Sequence, residues 1–281
     1  MQTVKGTIAE YFESVTKKKS KSSFKQERTY FKDLEHFCFK NKISLLIEIT
    51  PKHIEDFQTW LLGKPKKPQT VNRQFTVYNH FFDKCIQWGW IDVSPSRFCK
   101  KLREIEPIRV LWNKSQYKLA VKLAKPRWFR NVLRFLRYSG IRPQEAGEIR
   151  MCDISLEEEF IRLFMPKVSE YRVIAINEKL RRIIFMQSRG KKKHDFLFLN
   201  DKGRKVTTHR INQKLKKLQK EHGITTETAY AFRHGYATNL CRKDVNLEKV
   251  RKALGHKKIS TTLKYTHVDL EVLKEVSKIK Y

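Results

Sequence analysis

Apolar side chains recur every three or four residues in each well-patterned segment up to about residue 106, and none of that stretch alternates with a period of two. Such spacing lines one face of a helix and cannot serve as the core face of a strand. Residues 7–19 carry Ile8, Tyr11, Phe12 and Val15 in this way, and residues 24–41 repeat it with Phe31, Leu34, Phe37 and Cys38. Residues 17–23, basic and serine-rich, read as the linker between them. Thr50 followed by Pro51 predicts a helix start, because a hydroxyl can cap the first turn and proline suits the first helical position. Gly63 is the expected stop. Residues 64–68 read as a loop, and residues 70–88 as a fourth helix with Val71, Phe75, Tyr78, Phe82, Cys85 and Ile86 inward. Four amphipathic helices without a strand predict a small bundle.

The pattern changes at Glu106-Pro107. Helical spacing returns at residues 114–124 and 128–138, but residues 160–165 and 171–176 are short β-like runs around a turn at 166–170. They predict an antiparallel hairpin. A short extended piece at 196–200 ends in a turn, and helices are expected at 208–222, 228–242, 247–254 and 270–280. The predicted fold class is therefore mainly α with a small antiparallel β-sheet. It divides into a helical domain at 1–106 and a mixed domain at 107–281.

Charge narrows the partner. The chain has 61 Lys and Arg against 29 Asp and Glu, a formal net charge of +32, and three quarters of that excess lies beyond residue 106. A surface this basic attracts a polyanion, and nucleic acid is the expected one. Binding should weaken steeply with salt. A membrane reading needs an apolar anchor, and no stretch approaches the roughly 20 apolar residues of a spanning helix. The first residues lack the apolar core of a secretory signal. The expected place of action is the cytoplasm, on nucleoid DNA. Five cysteines, Cys38, Cys85, Cys99, Cys152 and Cys241, are odd in number and form no C-x-x-C pair. Neither a disulfide framework nor a zinc site is expected. With no phosphate-binding glycine loop either, no metal or cofactor is expected.

Four segments carry chemistry. In Ser139-Gly140-Ile141-Arg142-Pro143-Gln144-Glu145, glycine closes one helix and proline opens the next, so Arg142 sits at a fixed corner with Glu145 one turn on. In Ala229-Tyr230-Ala231-Phe232-Arg233-His234, Tyr230 and Arg233 share a helix face. Leu254-Gly255-His256 places a histidine just past a helix stop. Ser260-Thr261-Thr262-Leu263-Lys264-Tyr265-Thr266-His267 follows.

Together these segments resemble the catalytic motifs of the tyrosine recombinase (phage integrase) family. Gly140, Arg142 and Glu145 match its first arginine segment, Arg233 its second arginine, and Leu254-Gly255-His256 its Leu-Gly-His segment. Tyr265 stands at the usual distance for the nucleophile. The resemblance implies a catalytic lysine in a β-hairpin between the arginines, best matched by Lys167. It also implies a SAM-like core-binding domain over residues 1–106 and a catalytic domain over 107–281. One departure is Tyr230, which occupies the position usually held by histidine; a phenol can donate a hydrogen bond but carries no positive charge. His234 and His267 read as structural neighbours of these motifs.

The chemistry explains the residue types. Paired arginines grip the non-bridging oxygens of a phosphodiester and stabilise charge growing in the transition state. A tyrosine in a cationic site can attack, leaving a 3′-phosphotyrosine, and the departing 5′ oxygen needs a proton, which the resemblance assigns to Lys167. The bond energy is kept, so neither nucleotide nor metal is needed. The implied activity is site-specific recombination of double-stranded DNA, for integration, excision or resolution. Type IB topoisomerase-like relaxation and a catalytically idle DNA-binding accessory protein are the alternatives. The resemblance also implies a homotetramer on two DNA sites. The apolar stripe of Leu270, Val272, Leu273, Val276 and Ile279 is then passed to a neighbouring subunit.

Overall fold

Local signals set most of the helix ends in the computed structural model, which describes residues 2–16, 19–105, 112–165, 170–224, 227–263 and 265. Two compact units divide the chain, residues 1–107 and 108–281.

The first unit holds four helices: α1 (Val4–Thr16), α2 (Lys21–Lys40), α3 (Pro51–Leu62) and α4 (Pro68–Gln87). Thr50 caps α3 as expected, its hydroxyl accepting from the His53 amide at 3.2 Å. Helix α2 begins earlier than its apolar pattern does. Ser20 Oγ accepts from the Ser23 amide, and the cap draws Lys21, Ser22 and Ser23 into the first turn rather than leaving them in a linker. Likewise Pro68, not Thr70, opens α4, because its missing N–H is one the first turn would leave unpaired. The inward faces meet in an aromatic core of Tyr11, Phe31, Phe57, Tyr78, Phe81 and Phe82, each at most 1% exposed. Edge-on pairs such as Phe31–Tyr78, with centroids 5.6 Å apart at 87°, match the preferred ring geometry. The buried Tyr78 hydroxyl donates to the Tyr30 carbonyl at 2.7 Å.

The second unit starts with α5 (Lys114–Leu123) and α6 (Arg127–Ser139), then the single turn α7 (Pro143–Ala146). Three antiparallel strands follow in the order β1 (Ile154–Ser155), β2 (Phe160–Met165) and β3 (Glu170–Ala175). Strand β2 falls at the expected 160–165, and β3 runs one residue ahead of the expected 171–176, taking Glu170 from the turn; residues 166–169, with Lys167, lie outside the described residues. Helix α8 (Glu178–Ser188) was not expected. The remaining helices are α9 (Thr208–His222), α10 (Ala229–Cys241), α11 (Leu247–Leu254) and α12 (Ser260–Leu263). Residues 196–200 make bridges only, Phe196 to Arg150 and Leu199 to Lys205. The predicted helix at 270–280 lies outside the described residues, as does His267.

Helix α6 is the axis of this unit. Its Phe129, Val132, Leu133, Phe135 and Leu136 are fully buried, and α8 and α10 pack against it. Phe232 of α10 stacks on Trp112 at 5.0 Å and 6°. Gly140 ends α6 with φ +64°, and a Cβ there would stand 2.2 Å from the Tyr236 ring, so only glycine permits the turn into Arg142. No described helix is long and apolar enough to cross a membrane.

Candidate active site

The C-terminal end of α11 gathers the arginines. A helix end leaves carbonyls without intrahelical partners and carries partial negative charge, so guanidinium groups are natural caps. Arg233, on α10 and 3% exposed, donates from Nη2 to the Leu254 carbonyl at 2.6 Å and from Nη1 to the Gly140 carbonyl at 3.0 Å. Arg172, on β3, donates from Nη1 to the same Leu254 carbonyl at 2.6 Å. Arg142, the residue before α7, reaches the Gly255 carbonyl at 3.5 Å. One turn of backbone thus fixes three arginines drawn from three different elements.

Glu145 is their counter-ion. Its carboxylate accepts from the Arg142 amide at 2.7 Å, from Arg142 Nη1 at 2.8 Å and from Arg172 Nη2 at 2.5 Å. One carboxylate against three guanidiniums leaves the pocket cationic. Burial lowers the affinity of Arg233 for its proton, with Arg142 and Arg172 adding to the effect, to about 10. It therefore keeps its charge near neutral pH. His256, 7% exposed, is pushed down to about 4 by burial and then by Arg233, Arg142, Arg172 and His234. Its ring is neutral near pH 7, and its Nδ1 pairs with Thr262 Oγ1 at 2.8 Å.

Tyr265 lies against this cluster. Its ring is parallel to His256 within 10° at 6.1 Å and packs with Ala237, Val250 and Leu254. Its hydroxyl is 3.0 Å from His234 Nδ1. Tyr230 stands at the edge of the pocket, its hydroxyl donating to Gln144 Oε1 on α7 at 2.7 Å. Of the residues singled out from sequence, Arg142, Arg233, His256 and Tyr265 converge, and Tyr230 is joined to α7. Lys167 lies outside the described residues.

Sequence reading missed two members of the cluster. Arg172 had a legible signal: its register partner is Leu163 and it shares an inward face with Ile174, so period two puts a charge on the core side of β3. His234 was set aside as a structural neighbour, yet it touches the Tyr265 hydroxyl. A contact between residues 31 apart, across α11 and α12, leaves no mark in local sequence. Gly255 is constrained as well, with φ +63° and its missing Cβ 2.7 Å from Arg172 Cδ.

A pocket of three arginines, a neutral histidine and an enclosed phenol suits an oxyanion approached by a tyrosine. Comparison with known proteins supplies the deciding observation. The phage integrase family profile matches residues 113–271, and the phage integrase SAM-like domain matches residues 3–102. The chain belongs to the phage integrase family. Family membership makes it an enzyme of DNA strand breakage and rejoining, a site-specific recombinase. Among its relatives, tyrosine recombinase XerC of Thermodesulfovibrio yellowstonii is 26% identical over 266 residues, covering 89% of this chain and 87% of that protein. Tyrosine recombinase XerD of Listeria innocua is also 26% identical, over 273 residues, covering 89% and 90%. The Tn1549 transposon integrase, solved with a circular intermediate DNA, shares the fold at a TM-score of 0.81 and 19% identity, covering 99% of this chain and 100% of that one. A lambda integrase tetramer bound to a Holliday junction does so at 0.80 and 14%, covering 94% and 77%.

Proposed function

We propose that Tyr265 is the nucleophile that attacks a DNA phosphodiester and forms a 3′-phosphotyrosine link. Arg142 and Arg233 hold the non-bridging oxygens and stabilise the charge that grows on them. With Nδ1 accepting from the Thr262 hydroxyl, neutral His256 carries its proton on Nε2 and donates it to the same phosphate. Tyr230 adds a hydroxyl donor at the rim in place of a cation. Lys167 protonates the leaving 5′ oxygen. One observation carries this reading: the Tyr265 ring lies on His256 beside two arginines whose acceptors are the carbonyls of one helix end. The direct test is Tyr265→Phe on a nicked duplex. The variant should bind DNA and give no denaturation-resistant adduct; an adduct would remove Tyr265 from the role.

The same reading extends to partners. Residues 1–106 act as a core-binding domain and residues 107–281 as the catalytic domain, and the partner of both is double-stranded DNA; the enzyme works on nucleoid DNA in the cytoplasm. Four copies assemble on two sites, a reading supported by the lambda integrase tetramer bound to a Holliday junction, and the apolar stripe at 270–279 docks on the next subunit. Deleting residues after Val268 should spare single-site binding and lower cooperative pairing of sites. Loss of single-site binding or unfolding of the truncated chain would assign the segment to its own core.

A further inference from the structure

An attacking tyrosine must lose a proton, and phenols ionise only near pH 10, so attack at neutral pH needs an acceptor within hydrogen-bond reach. Among the described residues the pocket offers few. Arg142, Arg172 and Arg233 are donors only. Tyr230 is itself a phenol and gives its proton to Gln144 Oε1. His256 Nδ1 faces Thr262 Oγ1. His234, by contrast, has Nδ1 3.0 Å from the Tyr265 hydroxyl, with the rings 5.6 Å apart at 40°. It follows Arg233 directly on α10, so one helical turn carries both a guanidinium of the arginine cluster and an imidazole beside the Tyr265 hydroxyl.

We propose that His234 is the general base of the cleavage step, accepting the Tyr265 proton at Nδ1. The assignment rests on Tyr265 being the nucleophile. As Tyr265 Oη bonds to phosphorus, its proton passes to Nδ1 and His234 becomes an imidazolium. The bond from phosphorus to the 5′ oxygen breaks, and that oxygen takes its proton from a separate donor, the role given to Lys167. In rejoining, the 5′ hydroxyl attacks phosphorus and returns its proton to that donor, while Tyr265 leaves and recovers its own from His234. Each cycle restores both groups, so no outside acid or base is consumed. The division suits a chain with tyrosine at position 230, where a phenol cannot serve as base near neutral pH.

The test uses the full chain and a nicked duplex carrying the sequence recovered from DNA trapped on the wild-type protein. His234→Asn is the informative variant, because its amide can hold the Tyr265 hydroxyl by a hydrogen bond and cannot take a proton. At matched DNA occupancy near pH 7, adduct formation should slow by about 10²–10⁴-fold, the usual worth of a positioned base. The rate should recover as pH rises and solvent hydroxide replaces the missing base. Asn activity within about threefold of wild type near pH 7, against the loss expected of a base, overturns the proposal and leaves His234 as a positioning residue. A duplex with sulfur at the 5′ bridging position separates the two proton transfers, since a thiolate leaves unprotonated. It should rescue Lys167→Ala and not His234→Asn; rescue of His234→Asn also overturns the proposal. If the Asn variant does not bind DNA, the wild-type rate decides. Among the described residues, the charged and titratable groups sharing the pocket include Arg142, Glu145, Arg172, Arg233, His256 and Tyr265. The rate should rise with one deprotonation and then level off; a rate that climbs without levelling refutes the base. An adduct formed by Tyr265→Phe, or none formed by wild type, is instead a failure of the nucleophile assignment.

Discussion

Glu145 is the most exposed point of the site's construction to attack by a single substitution. Its carboxylate takes three hydrogen bonds from Arg142 and Arg172. Its side chain is 14% exposed, and that of Arg172 is 7% exposed. Removing one partner of a buried ion pair costs about 3–5 kcal/mol, because the other charge is left unpaired. Here the loss falls at the low end, since Arg172 keeps the Leu254 carbonyl and Arg142 is partly open to water. Glu145→Ala should therefore destabilise the second unit by about 3 kcal/mol, and Glu145→Gln by about half that, because one amide oxygen still accepts. Hydrogen exchange read by mass spectrometry gives the magnitude directly. Peptides of α6 and α10 in Glu145→Ala should lose about 10²-fold protection, at 1.36 kcal/mol per decade. Added inorganic sulfate should restore more protection in this variant than in wild type, because an anion can take the vacated place among the guanidiniums. Protection within about threefold of wild type, or no differential effect of sulfate, would refute the view that Glu145 holds the arginines.

Arg142→Ala and Arg233→Ala should each cut cleavage by about 10²–10³-fold at matched DNA occupancy, the cost of a lost oxyanion donor; near-normal cleavage by either removes that arginine from catalysis. Gly255→Ala forces a Cβ into a left-handed backbone and against Arg172, so it should cost about 1–2 kcal/mol of strain on top of the displaced guanidinium. Unchanged thermal stability and cleavage would show that the turn is not constrained. For His256 the sign follows from its lowered value. The fold favours the neutral ring, so its contribution is complete above about pH 6.5 and is lost as pH falls through about 4, by at most about 3 kcal/mol. Replacing it with Gln should narrow the gap in urea midpoint between neutral and acid pH; an unaltered gap assigns the acid sensitivity elsewhere.

Helices α9 and α11 begin and end where apolar period and capping residues put them, because both signals are local. Helix α8 escaped because its buried face, Leu180, Ile183 and Ile184, runs on into Phe185 and Met186 as one short apolar run without clear helical spacing, and its cap is the single Asn177 side chain. Strand β1, two residues long, carries no period at all. Motif spacing singled out Arg142, Arg233, His256 and Tyr265, each at a fixed offset from a glycine or helix end, and the structure brings these four together. The paired carbonyls of α11, the Arg172–Glu145 bond and the His234–Tyr265 contact arise only when distant segments meet.

The three arginine clamps on the end of α11 also order events during synthesis. Arg142, Arg172 and Arg233 leave the ribosome before the carbonyls at 254 and 255 that hold all three in place, Gly255 lying 113 positions beyond Arg142. Closing loops of that length comes late, after local helices have formed. A nascent chain stopped before residue 254 carries the cations without their anchor, and one stopped before residue 265 lacks the phenol. The three arginines and the phenol that lies against them therefore meet only after the chain has been made as far as residue 265.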